Sequence, residues 1–293
     1  MARLRPDGNF DPPLLMSRRH ALGAMGVGFA LSMRPVNAAT IITDTKGLVV
    51  ADVKIKVADG QSPGYYARPE GKGPFPGVLI VSEIFGLHEH IRDLCRRMAK
   101  VGYAAVAPDY FYRAGDPSKI EDFSKIFPIV AQAKYSQVMS DSLAAIDFLK
   151  AQGEVDKARL AITGFCWGGS VVWMTTANSP DIKAGAAWYG QLRARPPQPG
   201  APAPEQRPYP IDVADKIKGR VIGFYAGLDQ GITADDVAAM RAALKAAGDT
   251  KSNIIVYPDA QHGFNGDYRP SYNEKDAKDA WGRMLAWFKD HGV

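Results

Sequence analysis

The sequence predicts an α/β fold with a mostly parallel central sheet and helices on both faces. Three observations lead to this prediction. From about residue 48 onward, apolar runs typical of strands alternate with amphipathic runs typical of helices. Residues 77–81 are continuously apolar, as in a strand that is buried on both faces. In residues 160–174 a short apolar strand leads through a glycine-rich turn directly into a helix-like run.

The individual elements are assigned from their hydrophobic periods. Residues 48–57 alternate apolar and polar side chains, as a half-exposed edge strand does, and residues 65–67 are expected to pair with them. Thr233 is expected to cap one of the helices. The other strands are predicted at 77–81, 103–107, 160–163, 184–189, 221–225 and 254–257, and the helices at 91–101, 136–152, 170–174, 235–247 and 274–289.

One segment interrupts this alternation. Residues 193–210 contain seven prolines, which cannot join a sheet ladder and favour an extended polyproline conformation. Long insertions of this kind either shape a pocket or cross the surface without touching substrate, and both alternatives remain open.

The first 38 residues show the features of a twin-arginine export signal in the required order. Arg18-Arg19 precede the mildly apolar run 21–33, and Val36-Asn37-Ala38 offers small residues for cleavage. A disordered basic tail and an uncleaved anchor are the alternatives, although the run is shorter than the roughly 20 residues that span a bilayer. We therefore expect residues 39–293 to form one periplasmic or secreted domain. Its expected partner during targeting is the twin-arginine export machinery, and no stable membrane anchor is expected.

Composition excludes several classes of partner. Residues 1–38 carry five arginines and two aspartates, so the net charge of +5 falls to +2 without them. No Lys/Arg block remains that would indicate a nucleic-acid-binding protein. Walker A and dinucleotide-binding motifs are absent from the sequence, so no cofactor is expected. His88-Glu89-His90 predicts no metal site, because residues two apart do not share a helix face and a third ligand is not evident.

The turn Gly164-Phe165-Cys166-Trp167-Gly168-Gly169 makes Cys166 the candidate nucleophile. A nucleophile elbow holds its central residue in a strained backbone, and small flanking residues such as Gly164 and Gly168 permit that conformation. In an exported protein with two cysteines, a disulfide between Cys95 and Cys166 is the alternative. We expect a free thiol at Cys166, because the elbow requires one, and a small buried apolar residue at Cys95.

A thiol nucleophile needs a base, and the base needs an orienting carboxylate. Asp229 follows the predicted strand 221–225, and His262 follows the predicted strand 254–257. The nucleophile, the acid and the histidine thus follow one another in the order that a nucleophile elbow predicts. Each of the three also lies just past a predicted strand. Asp259 is the rival acid, but it is expected to cap a turn instead.

Two backbone N–H groups are expected to form an oxyanion hole. One belongs to Trp167, which follows the nucleophile, and the other to Ile84, in the loop after the third strand. Glu83 stands beside Ile84. It is either a solvated loop carboxylate or helix-cap partner, or it activates Cys166 or contacts the substrate.

Taken together, these motifs make residues 46–291 similar to the dienelactone hydrolase (carboxymethylenebutenolidase) family of the α/β-hydrolase superfamily. The resemblance implies an α/β-hydrolase fold and hydrolysis of small carboxylic esters or lactones. It implies a Cys166–His262–Asp229 triad that works through a thioester intermediate. It also implies that Glu83 helps to deprotonate Cys166 when substrate enters. The segments that carry the resemblance are 82–86, 108–113, 164–169, 227–229 and 262–264.

The resemblance further suggests how a substrate carboxylate would be held. Arg113, next to Tyr112, matches an arginine that binds this carboxylate, and a guanidinium fork suits it through two parallel hydrogen bonds. Family members that act on dienelactone carry a second arginine four residues after the histidine. Here that position is Gly266, and Arg269 is the candidate replacement. The expected partner is therefore a small-molecule ester or lactone. A non-catalytic ligand-binding protein and a thioesterase on the same fold are the alternatives.

Overall fold

The computed structural model describes residues 40–195 and 205–293. The expected export signal at 1–38 and residues 196–204 of the proline-rich segment lie outside the described residues. Within the two described ranges, none of the helices combines the length and the apolar character that crossing a membrane requires.

An eight-stranded sheet forms the centre of the protein and confirms the predicted fold class. The strand order is β1-β2-β4-β3-β5-β6-β7-β8. Strand β2 pairs antiparallel with β1 and β4, and all the other pairs are parallel. The strands are β1 Leu48–Val57, β2 Gly60–Pro69, β3 Phe75–Val81, β4 Ala104–Pro108, β5 Val155–Phe165, β6 Ile182–Trp188, β7 Arg220–Ala226 and β8 Asn253–Tyr257.

Helices cover both faces of this sheet. Helices α1 and α6 pack into one buried apolar cluster, and α3, α4 and α5 pack into another. Strands β3 to β7 lie between the two clusters, which explains their continuous apolar runs. The helices are α1 Glu89–Lys100, α2 Ile126–Val130, α3 Tyr135–Ala151, α4 Trp167–Asn178, α5 Ala234–Ala246 and α6 Glu274–Asp290.

The longer predicted elements are confirmed to within a few residues. Strand β1 lies at the sheet edge and pairs with the strand that contains residues 65–67. Thr233 caps α5 in a capping box: its hydroxyl accepts from the Asp236 N–H, and the Asp236 carboxylate accepts from the Thr233 N–H at 2.8 Å.

Residues 117–130 and 210–216 contain short helical turns that hydrophobic periodicity did not predict. Two 3₁₀ turns, Pro117–Lys119 and Phe123–Lys125, precede α2, and a third spans Pro210–Lys216. These pieces are too short to show a helical period, and local side-chain hydrogen bonds define two of them. Asp116 and Asp122 each accept a hydrogen bond from the backbone N–H two residues later.

The topology brings the candidate residues to one edge of the sheet. Parallel neighbours end at the same edge, so the segments that follow β3, β5, β7 and β8 converge there. Cys166 follows β5, near the middle of the sheet. The loop that holds Glu83 follows β3 on one side of it, and Asp229 and His262 follow β7 and β8 on the other.

Candidate active site

Cys166 occupies a strained turn between β5 and α4. Its φ of 54° and ψ of −117° form a combination that residues with a side chain rarely adopt. A Cβ atom on Gly164 would lie 2.4 Å from the Gly168 carbonyl oxygen, and one on Gly168 would lie 2.5 Å from the Ser82 carbonyl oxygen. The close approach of these backbones therefore requires glycine on both sides of the turn. It holds the thiol at the start of a helix.

His262 and Asp229 form a buried pair at the same edge. The His262 Nδ1 atom lies 2.7 Å from the Asp229 Oδ2 atom. The second Asp229 oxygen accepts hydrogen bonds from the N–H groups of Gly231 and Ile232, at 2.8 and 3.1 Å. Burial raises the pKa of Asp229, but His262 and these N–H donors outweigh burial and lower it. Asp259, the rival acid, is exposed.

The imidazole of His262 strongly favours its protonated form. Burial lowers its pKa, but its interactions with Cys166 and Asp229 outweigh burial and raise the pKa from 6.5 to about 10. The stabilisation gained from protonated His262 is therefore complete below pH 6.5 and is lost as the pH rises through about 10. The arrangement suits an imidazolium that is held between a carboxylate and a cysteine sulfur.

The two expected oxyanion donors belong to residues that follow the neighbouring strands β5 and β3. Trp167 is the first residue of α4, where backbone N–H groups have no partner within the helix. Ile84 is buried in the loop after β3, and its side chain packs in the same apolar cluster as Trp167. Within the described ranges, neither N–H group donates to another group of the protein. Both donors thus remain available to a ligand oxygen.

Glu83 is buried and paired on both oxygens. Its Oε1 atom lies 3.0 Å from Arg269 Nη2, and its Oε2 atom accepts from the Tyr268 hydroxyl and lies 3.3 Å from His88 Nε2. Burial opposes ionisation of this carboxyl, but Arg269 and His88 hold its pKa well below the ordinary range. Glu83 is therefore an ionised member of a buried cluster, and its contacts are with these three side chains.

Arg269 lies in the loop after β8 that also contains His262, which we call the histidine loop, and its side chain reaches Glu83. It is seven residues after His262, whereas the arginine of the resembling family members is four residues after the histidine. Its side chain folds back over Gly263, where φ is +80° and a Cβ atom would lie 2.5 Å from Arg269 Nη1. Burial lowers the pKa of Arg269, but Glu83, Tyr268 and the Cys166 sulfur outweigh burial and raise it. A permanent cation therefore lies close to the candidate nucleophile.

Arg113 is not brought into this cluster. Its Nη1 atom lies 2.7 Å from Asp141 Oδ2 on α3, and its Nε atom donates to Asp59 Oδ2 at 2.7 Å. Its guanidinium also lies over the Tyr112 ring, 4.5 Å from the centroid. The Arg113 guanidinium, which was expected to bind a substrate carboxylate, is thus already paired with two carboxylates of the protein. Tyr112 accompanies Arg113 and is half-buried.

Several residues of the site escaped the sequence analysis. Tyr189, directly after β6, has a φ of 39°, and its ring lies 5.1 Å from the His262 ring. Its position past a strand end, like that of Cys166, was the available signal. The sequence did not indicate Tyr268 or His88, because their contacts with Glu83 depend on how the loops after β3 and β8 fold.

His88 and His90 each lie beside a buried carboxylate, and the two cysteines do not pair with each other. His90 Nδ1 lies 3.2 Å from Asp267 Oδ1, whereas His88 faces Glu83. Among the described residues, no cluster of three or more His, Cys, Asp or Glu side chains could hold a metal ion. Both cysteines are free and buried, so the disulfide alternative does not hold.

Comparison with known proteins identifies the family. The sequence profile of the dienelactone hydrolase family matches residues 63–292. A Methylorubrum extorquens protein named "Putative carboxymethylenebutenolidase" is 46% identical over 281 residues, which cover 95% of this chain and 94% of that protein. An Escherichia coli K12 protein of the same name is 42% identical over 267 residues, which cover 90% and 96% of the two chains.

A solved structure gives the same result. It is described as "Putative Dienelactone Hydrolase" from Klebsiella pneumoniae, and it superimposes with a TM-score of 0.76 at 43% identity. The match covers 83% of this chain and 98% of that one. With this match in sequence and in fold, the chain belongs to the dienelactone hydrolase family of hydrolases.

Proposed function

We propose that this protein hydrolyses small carboxylic esters or lactones with Cys166 as the nucleophile and a thioester as the intermediate. The observation that carries the proposal is the His262–Asp229 pair at 2.7 Å, combined with the effect of Cys166 on the pKa of His262. Nucleophilic acyl transfer uses such an arrangement, in which an imidazole interacts with the sulfur at the elbow and a carboxylate orients the imidazole.

In the proposed reaction, the Cys166 sulfur attacks the ester carbonyl carbon, and the carbonyl electrons move onto its oxygen. The N–H groups of Ile84 and Trp167 stabilise this oxyanion. The intermediate collapses to a thioester, and the His262 imidazolium gives its proton to the departing alkoxide. His262 then takes a proton from water, which attacks the thioester. Release of the acid restores the thiolate–imidazolium pair.

We assign recognition of any substrate carboxylate to Arg269 in preference to Arg113. The Arg269 Nη1 atom is buried and makes no hydrogen bond within the described part of the chain, and Arg269 lies close to Cys166. Arg113 already pairs with Asp59 and Asp141. A carboxylate on the substrate would compete with Glu83 for Arg269, which links binding of an acidic substrate to the charge state around Cys166.

Alkylation of Cys166 by iodoacetamide tests the proposal. We expect one equivalent to react and to abolish hydrolysis of p-nitrophenyl acetate, because only the thiolate is nucleophilic. In His262→Asn the alkylation rate at neutral pH should fall, because the imidazole that interacts with Cys166 is removed.

Cys95 is the internal control for this experiment. It is fully buried in α1, and burial raises the pKa of its thiol, so it should stay unmodified in the folded protein. An unreactive Cys166 in a protein that does not hydrolyse the ester would favour a ligand-binding protein over an enzyme. Full alkylation of Cys166 without loss of hydrolysis would exclude Cys166 as the nucleophile.

We further propose that the enzyme works outside the cytoplasm after twin-arginine export. The support is the order of charge, apolar run and small residues within 1–38. Expression of the full chain and of Arg18→Lys/Arg19→Lys, followed by fractionation, tests this. The unaltered protein should appear outside the inner membrane without residues 1–38, and the variant should remain inside. Equal cytoplasmic retention of both would contradict export.

A further inference from the structure

An apolar surface lies at the outer side of the candidate oxyanion hole. It consists of three phenylalanines, Phe85, Phe123 and Phe127, which we call the aromatic wall. The Phe85 and Phe123 ring centroids are 6.2 Å apart, and those of Phe123 and Phe127 are 4.8 Å apart. Phe127 is 48% exposed, and the other two rings are half-buried. A cluster of neighbouring apolar rings that reaches the solvent is a candidate interaction site.

The aromatic wall is continuous with the residues that would hold the reacting carbonyl group. Phe85 and Phe123 pack in one cluster with the side chains of Ile84 and Trp167, whose N–H groups are the oxyanion donors. The guanidinium of Arg269 lies 5.0 Å from the centroid of the Phe85 ring. A group bound to the carbonyl carbon can therefore extend from the oxyanion hole onto these rings.

The strand order decides which half of an ester faces the aromatic wall. Phe85 follows β3, and Phe123 and Phe127 follow β4. His262 follows β8, which lies on the opposite side of β5 and Cys166. The leaving alkoxide must lie near His262 to receive its proton. With the carbonyl oxygen in the oxyanion hole, the acyl group is the part that lies on the side of β3 and β4.

We propose that the aromatic wall binds the acyl chain of the substrate, so that the enzyme favours esters of medium-length aliphatic or aromatic acids over acetates. This inference rests on the proposed ester hydrolysis at Cys166. It assigns the preference to Phe123 and Phe127, which lie on two short turns after β4 and which the reaction steps themselves do not use.

The test compares p-nitrophenyl acetate, hexanoate and phenylacetate in the full-length enzyme and its variants. We expect Phe123→Ala and Phe127→Ala each to lower kcat/KM for hexanoate and phenylacetate, relative to that for acetate, by about tenfold, the size of effect typical of lost apolar pocket contacts. Phe148→Ala is the matched control, because this half-buried phenylalanine packs on Tyr66 of β2, with ring centroids 5.7 Å apart. It should leave the ratio of the esters unchanged.

Other outcomes separate the inference from the proposed function. Equal losses for acetate and hexanoate, or an effect on the alcohol series ethyl, butyl and benzyl acetate instead, would overturn the acyl assignment. If Cys166→Ala still hydrolyses these esters, the proposed function itself fails. Phe127 is half exposed, so its alanine variant should fold even if Phe123→Ala does not.

Discussion

Cys166→Ala is expected to abolish ester hydrolysis, with a loss of about 10⁵-fold or more in kcat, as when the nucleophile of other triads is removed. Within the elbow, residues 164–169, Cys166 alone carries a nucleophilic side-chain atom. The fold should persist, because alanine keeps the Cβ atom and the same backbone strain, so the midpoint of thermal unfolding should change little. Initial rates on p-nitrophenyl acetate and circular dichroism melting measure the two effects.

Cys166→Ser sharpens this prediction. A hydroxyl is far less acidic than a thiol, so a serine at this position is a much weaker nucleophile. We therefore expect a large loss in this variant as well. Cys95→Ala is the matched control: it should keep full turnover and lose about 1 kcal/mol of stability through the small cavity left in the core. Turnover that survives in Cys166→Ala would refute the mechanism.

The positions of the three proposed triad residues could be predicted from the sequence, because strand ends determine where these residues lie. Cys166, Asp229 and His262 each come shortly after a parallel strand, and parallel strands end at one edge of the sheet. The glycines at the elbow added a local steric requirement that the sequence shows directly. Backbone topology therefore carries most of the information about this part of the site.

The environment of Glu83 could not be predicted in the same way. Its contacts with Arg269 and Tyr268 join loops that are about 185 residues apart, and they depend on how the histidine loop folds back over Gly263. Arg113 shows the converse. The motif at residues 108–113 is present, but the Arg113 guanidinium already forms ion pairs with Asp59 and Asp141. Neither aspartate is part of the motif. Side-chain direction in loops is not specified by hydrophobic period or by strand order.

The Glu83–Arg269 pair is expected to contribute strongly to folding stability as well as to the site. Arg269→Met would leave Glu83 charged and buried, and Glu83→Gln would leave Arg269 in the same condition. Breaking one side of a buried ion pair costs about 3–5 kcal/mol, so each single variant should unfold at a much lower urea concentration. The double variant Glu83→Gln/Arg269→Met should lose far less than the sum of the two losses, because no unpaired charge remains.

The pH dependence gives this double-mutant cycle an independent check. Because the pKa of Glu83 in the folded protein lies below its ordinary value of 4.5, its contribution to stability is complete at neutral pH and falls as the pH drops below 4.5. The penalty in Arg269→Met should therefore shrink in acid, as Glu83 becomes protonated. Lys278→Met removes an exposed partner of Glu274 on α6 and should not change the unfolding midpoint at either pH. Additive losses in the cycle, with the same penalty at pH 7 and pH 4, would show that Glu83 and Arg269 are not energetically coupled.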